Sequence, residues 1–108
     1  MTGGADVQAG ICGHRTTIGA ETADGRQVSF SVETTCDNIE RFKARLAAGG
    51  PVDAYGEINP RASSAVLTHG REAAICIDCI VPAAALKAMR VAAGLALAAD
   101  ASIGIQKT

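Results

Sequence analysis

Val7, Ala9 and Ile11 stand on odd positions, whereas Ile18 and Ala20, preceded by Thr16, stand on even ones. Strand side chains alternate with period two, so this change of parity demands a bulge or a turn between Cys12 and Thr17. Ala23-Asp24-Gly25-Arg26 reads as a hairpin turn with Asp-Gly at its centre. Val28, Phe30 and Val32 then alternate with Ser29, Ser31 and Glu33. The first third of the chain is therefore predicted to form two or three antiparallel strands with one apolar face. Further on, Ile39, Phe42 and Leu46 recur at helical spacing, with Arg41, Lys43 and Arg45 between them. Asp37 and Glu40 make a start resembling a capping box, and Gly49-Gly50-Pro51 makes a firm stop.

The segment from Val52 to Ala74 carries weaker periodicity. Val52–Ile58 is predicted as a short helix stopped by Asn59-Pro60, and Ser63 or Ser64 as the cap of a second short helix that ends near His69-Gly70. Leu86, Met89, Ala93 and Leu97 then fall three or four apart behind Pro82. The pattern predicts an amphipathic helix that begins at the proline and stops at Gly94. Ser102-Ile103-Gly104-Ile105-Gln106 alternates and reads as a closing strand. The expected architecture is α+β: one domain over residues 1–108, with a mostly antiparallel sheet of N-terminal strands plus a C-terminal strand, covered on one face by two main helices.

Composition adds two constraints. Only Phe30, Phe42 and Tyr55 are aromatic, so the core is built from Ala, Val, Ile and Leu, each burying modest area. That shortage points to a homo-oligomer, most simply a dimer, held by an alanine-rich surface or a shared sheet edge. The net charge of −1, with neither a basic tract nor an aromatic platform, argues against nucleic acid. The apolar run Ala92–Ala99, broken by Gly94, is too short to span a bilayer. Met1-Thr2-Gly3-Gly4-Ala5-Asp6 lacks the regions of a signal peptide, which leaves the cytoplasm as the expected location.

In that compartment the four cysteines are more readily free, metal-bound or redox-active than paired structurally. Cys76 and Cys79 form a Cys-x-x-Cys pair just ahead of the predicted Pro82 helix. Unpaired N–H groups and the positive end of the helix dipole would favour thiolates there. Cys12 lies at the strand irregularity, and Cys36 between the last strand and the first long helix. If strand ends and helix starts share one sheet edge, Cys12, Cys36, Cys76 and Cys79 converge. Four thiolates suit zinc or an iron–sulfur cluster, and His14 and His69 are alternative ligands. Three other readings stay open. The cysteines are small packed hydrophobes of a structural or interaction module, Cys76 and Cys79 exchange disulfides, or Asp53 and Glu57, one helical turn apart, form a carboxylate pair instead of a solvated face. No nucleophile–base arrangement and no phosphate-binding glycine pattern is present, so no catalytic residue is assigned.

The chain resembles a family of small cysteine-containing proteins from anaerobic bacteria and archaea whose activity is not established. The features that carry the resemblance are Ala9-Gly10-Ile11-Cys12-Gly13 with Thr16-Thr17-Ile18, Cys36 ahead of a helix, Cys76 and Cys79 with Val81-Pro82, Lys87-Ala88, and Val91-Ala92-Ala93-Gly94-Leu95-Ala96-Leu97, followed by Ile103-Gly104-Ile105 with Lys107. The family pattern often has an aromatic at the place of His14, and a histidine and a proline where this chain has Ile77 and Asp78. The resemblance implies a recurring set of cysteines and no mechanism.

Overall fold

A computed structural model describes all residues 1–108. Three strands, β1 (Thr2–Gln8), β2 (Arg15–Thr22) and β3 (Gln27–Thr34), form an antiparallel meander, and the two-residue β4 (Val52–Asp53) completes the order β1-β2-β3-β4. The parity change is resolved by a turn: Gln8 pairs with Arg15, and Ala9–His14 form the connection. Ile18 pairs with Val32 and Ala20 with Phe30, which puts the apolar positions on one face. Thr16 and Thr34 also pair on that face, and their hydroxyls satisfy each other at 2.8 Å. Thr17, Glu21, Ser29, Ser31 and Glu33 stay exposed on the other face. At the second hairpin, Asp24 Oδ1 accepts from the N–H groups of Arg26 and Gln27 at 2.9 and 2.8 Å.

Four helices follow: α1 (Asp37–Gly49), α2 (Ala54–Glu57), α3 (Ala65–Glu72) and α4 (Val81–Ala92). The two long ones, α1 and α4, lie on the apolar face of the sheet as predicted, α4 over β1 and β2 and α1 over β3. Phe42, Ile18, Met89, Val28, Val66 and Val81 are the largest fully buried side chains. Truncating Phe42 to Ala would cost about 3–5 kcal/mol on the usual scale for such residues. Alanines 85, 88, 92 and 93 let α4 lie close to the sheet. The approach is closest at Gly3, where a Cβ would overlap Ala88 O and stand 3.0 Å from Ala92 N.

Several boundaries differ from expectation. Cys36, not Asp37, takes the N-cap of α1, and its side chain makes no capping bond; its carbonyl receives the Glu40 N–H at 3.0 Å. Asp37 and Glu40 instead sit within the first turn, where their charge favours the helix dipole. Part of the predicted Val52–Ile58 helix is β4, because Val52 pairs with Val28 before α2 begins. α3 is capped by Ser64, whose Oγ accepts from Leu67 N at 3.1 Å, and it continues through buried Gly70 to Glu72. Pro82 is the second residue of α4, still within the turn whose N–H groups lack helical partners.

Gly94 ends α4 as predicted, with φ of 74°. The N–H groups of Gly94 and Leu95 bond Val91 O and Arg90 O, which forms a Schellman closure. The expected closing strand is absent. Residues 101–108 lie outside the sheet, with Ile103 and Ile105 69% and 87% exposed. The reason is geometric. α4 ends above the start of β1, so a strand added directly from it would run parallel to β1, the less stable pairing. Two isoleucines bury little against the cost of ordering the segment.

Candidate functional site at the thiol-bearing end

Gly3, at the start of β1, lies under Ala88, Val91 and Ala92 in the last turns of α4. Hence the first turn of α4 lies over the other end of β1. The lengths agree: a helix rises about 1.5 Å per residue and a strand about 3.3 Å, so Val81–Val91 and Gly3–Gln8 span similar distances. That far end of the sheet also carries the Ala9–His14 turn and the end of β3, since Thr35 N–H bonds Arg15 O. Thr35 leads directly into Cys36 and α1. Both long helices therefore start at one edge, and the connections bearing Cys12, Cys36 and the Cys76–Cys79 pair gather there.

Each thiol is presented differently. Cys76-Ile77-Asp78-Cys79 is a tight turn closed by the Cys79 N–H on Cys76 O at 3.0 Å. Cys76 and Cys12 are exposed, whereas Cys36 and Cys79 are half-buried against the core. Burial pushes the Cys79 thiol up, the Val81 N–H pulls it down, and the charges of Cys76, Cys36 and Cys12 each push it up again. Cys79 thus feels all three other thiols, and it reaches the N-terminus of α4 through Val81. The sequence-based expectation that this helix end favours a Cys79 thiolate is corrected, because desolvation outweighs the single N–H. All four cysteines are free, and no three His, Cys, Asp or Glu side chains are posed to hold one ion.

The anchoring of this end was not visible in the sequence. Arg41, on α1, donates from Nε to Ala73 O at 2.9 Å and from Nη2 to Ala74 O at 3.3 Å and Asn38 Oδ1 at 2.8 Å. These bonds cap the C-terminus of α3 and fix where the Cys76–Cys79 connection begins. A basic residue on the polar side of a predicted helix gives no sign of such a tertiary partner.

The histidines separate. His14 stands at the thiol end, with Nδ1 3.0 Å from Thr35 Oγ1, beside Cys36 in sequence. His69 lies on α3 against Gly49, at the opposite end of α1 from Cys36. Its Nδ1 is buried without a partner. The carboxylates have structural work. Asp53 caps α2 at Tyr55 N and pairs with Arg26 at 3.1 Å. Glu57 accepts from Ser64 Oγ, Ala65 N and Val66 N at the start of α3. No helix is long and apolar enough to cross a membrane.

Neither a curated protein nor a solved structure matches this chain. Residues 4–105 match a family of unknown function, DUF6951, and the match takes in all four cysteines and both long helices. The chain with its thiol-bearing end is therefore a member of the DUF6951 family.

Proposed function

We propose that this protein is a small thiolate-based binding module that takes zinc or an iron–sulfur cluster through Cys76, Cys79, Cys12 and Cys36. The observation that carries the reading is the gathering of four free thiols at one edge, with Cys79 responsive to the charge of the other three. Sulfur is the donor such soft centres prefer. Cys36 and Cys79 are held by the core, and Cys12 and Cys76 ride on exposed connections that can close over a centre. Ligation would require Cys79 as the thiolate, so binding would be coupled to proton release. The resemblance to proteins of anaerobes suits a thiol site that oxygen would oxidise. The raised Cys79 thiol weighs against a resting disulfide-exchange nucleophile there. The alternative is a structural or interaction module whose cysteines only pack. In either reading the chain works as a cytoplasmic homo-oligomer.

Elemental analysis of protein purified without oxygen decides between them. The expected result is stoichiometric zinc, or iron with acid-labile sulfide. Cys79→Ser should lose that metal and melt well below the wild type, since metal-binding energy is folding energy. Metal-free wild type, with Cys79→Ser melting almost unchanged, would leave the packing module as the answer.

A further inference from the structure

The free edge of β1 has a defined pattern of backbone groups. Met1 N donates to Thr22 O, Thr22 N donates to Met1 O, and Ala9 N donates to His14 O. In an antiparallel ladder, bonded pairs recur every second residue. Gly3, Ala5 and Val7 therefore bond inward to β2, and the N–H and C=O groups of Thr2, Gly4, Asp6 and Gln8 point away from the sheet. Four donors and four acceptors line that edge, with no backbone partner in the chain.

The apolar side of the same edge is incompletely covered. Gly3 and Ala5 are small and only half-buried beneath α4. Val91 overhangs Gly3, its Cβ 3.2 Å from where a Gly3 Cβ would stand. Ala84, two turns earlier on the same side of α4, is half-buried too. A shallow aliphatic trough thus runs beside an unpaired strand.

The chain also carries a segment that fits this trough and leaves it unused. Ser102-Ile103-Gly104-Ile105-Gln106 alternates with period two and lies exposed along its whole length; with it the chain extends 43 Å along its long axis against 28 and 27 Å across. Its odd positions are apolar, and its even positions match the polar open face of the sheet. The link from Gly94 would deliver this segment to its own edge in the parallel sense, whereas a second copy presents it antiparallel, the more stable pairing.

We infer that Ser102–Gln106 of one copy adds as an antiparallel fifth strand to the β1 edge of a second copy, reciprocally, to form a two-fold dimer. Ile103 stands opposite Ala5 and Ile105 opposite Gly3, so large side chains meet small ones under Val91 and Ala84. Gly104 faces Gly4 and Ser102 faces Asp6 on the polar side, and no like charges oppose each other. The exchange removes both exposed features at once, because it pairs the edge and buries the isoleucines.

Light scattering on the full chain and two full-length variants tests this. Ile103→Asp combined with Ile105→Asp spoils the donated strand without touching the body. Asp6→Pro removes an outward N–H from the receiving edge and leaves the β1–β2 backbone bonds intact, losing only the exposed Thr17 hydroxyl bond to Asp6 Oδ1. Wild type should have twice the chain mass and each variant the mass of one chain. A mixture of the two variants should regain a heterodimer, because one supplies a sound edge and the other a sound strand. If Asp6→Pro does not fold, the isoleucine variant decides alone. A wild type monomeric at every concentration, an isoleucine variant that stays dimeric, or a mixture of folded variants without heterodimer overturns the exchange.

Discussion

Ala74 is the one non-glycine residue with positive φ, at 56°. It follows the C-cap of α3, where the left-handed conformation satisfies helix carbonyls and where glycine is usual. The Cβ makes that conformation cost about 1–2 kcal/mol. Ala74→Gly is expected to stabilise the fold by about 1 kcal/mol, a few degrees in thermal melting, since φ is already what glycine accepts. Asp24 supplies a second residue-scale outcome. The Arg26 N–H first and the Gln27 N–H next hold its carboxyl below the ordinary carboxylate range, with a smaller contribution from the Thr22 hydroxyl. A folded pKa below the unfolded one means a contribution present above the unfolded pKa and lost as pH falls through the folded value. Denaturant titrations at neutral and acidic pH should show a shallower acid-side loss of stability in Asp24→Asn than in wild type. The turn itself was legible, because Asp-Gly encodes it locally. The strained Ala74 was not, since alanine carries no signal for positive φ.

Among the elements, the sheet and both long helices follow from periodicity, because each buries one face; the alternation of 18, 20, 28, 30 and 32 fixes which face, and the Asp24-Gly25 turn fixes the register. The middle of the chain was harder to read. Its helices are short, so their packing and caps decide them, and the cap of α3 comes partly from Glu57 in a preceding element. The closing strand failed for the opposite reason: its local pattern is sound, but its own chain offers the free β1 edge only in the less stable parallel sense. At the site, the positions of the four cysteines along the elements were legible, and their presentation was not, because Arg41 fixes it from across the fold. Arg41→Ala removes charged donors from carbonyls at the end of α3, a loss of roughly 1 kcal/mol for a partly exposed group. Amide exchange should rise from Ala73 through Cys79 and stay unchanged in β1–β3. Uniformly faster exchange would assign Arg41 a global role instead.

Across the whole molecule, the two long helices begin at one end of a single-layer sheet, and the connections bearing the four cysteines collect there. Ile11 and Ile77 project from that edge almost fully exposed beside Cys12 and Cys76. The proposed strand exchange uses the β1 edge and Ser102–Gln106, none of them a cysteine, so occupancy of the thiol site and association of copies can be measured separately. The close seating of α4 on Gly3 bears on how the site would fill. With Ala88 O against that glycine, helix and strand meet backbone to backbone, and the core between them holds Cys36 and Cys79. Any travel needed to bring Cys12 and Cys76 inward falls to their connecting turns. If the thiols take a metal as proposed, its capture would be timed by two short loops on the nanosecond-to-microsecond scale of such segments, and its escape by how firmly the core holds Cys36 and Cys79.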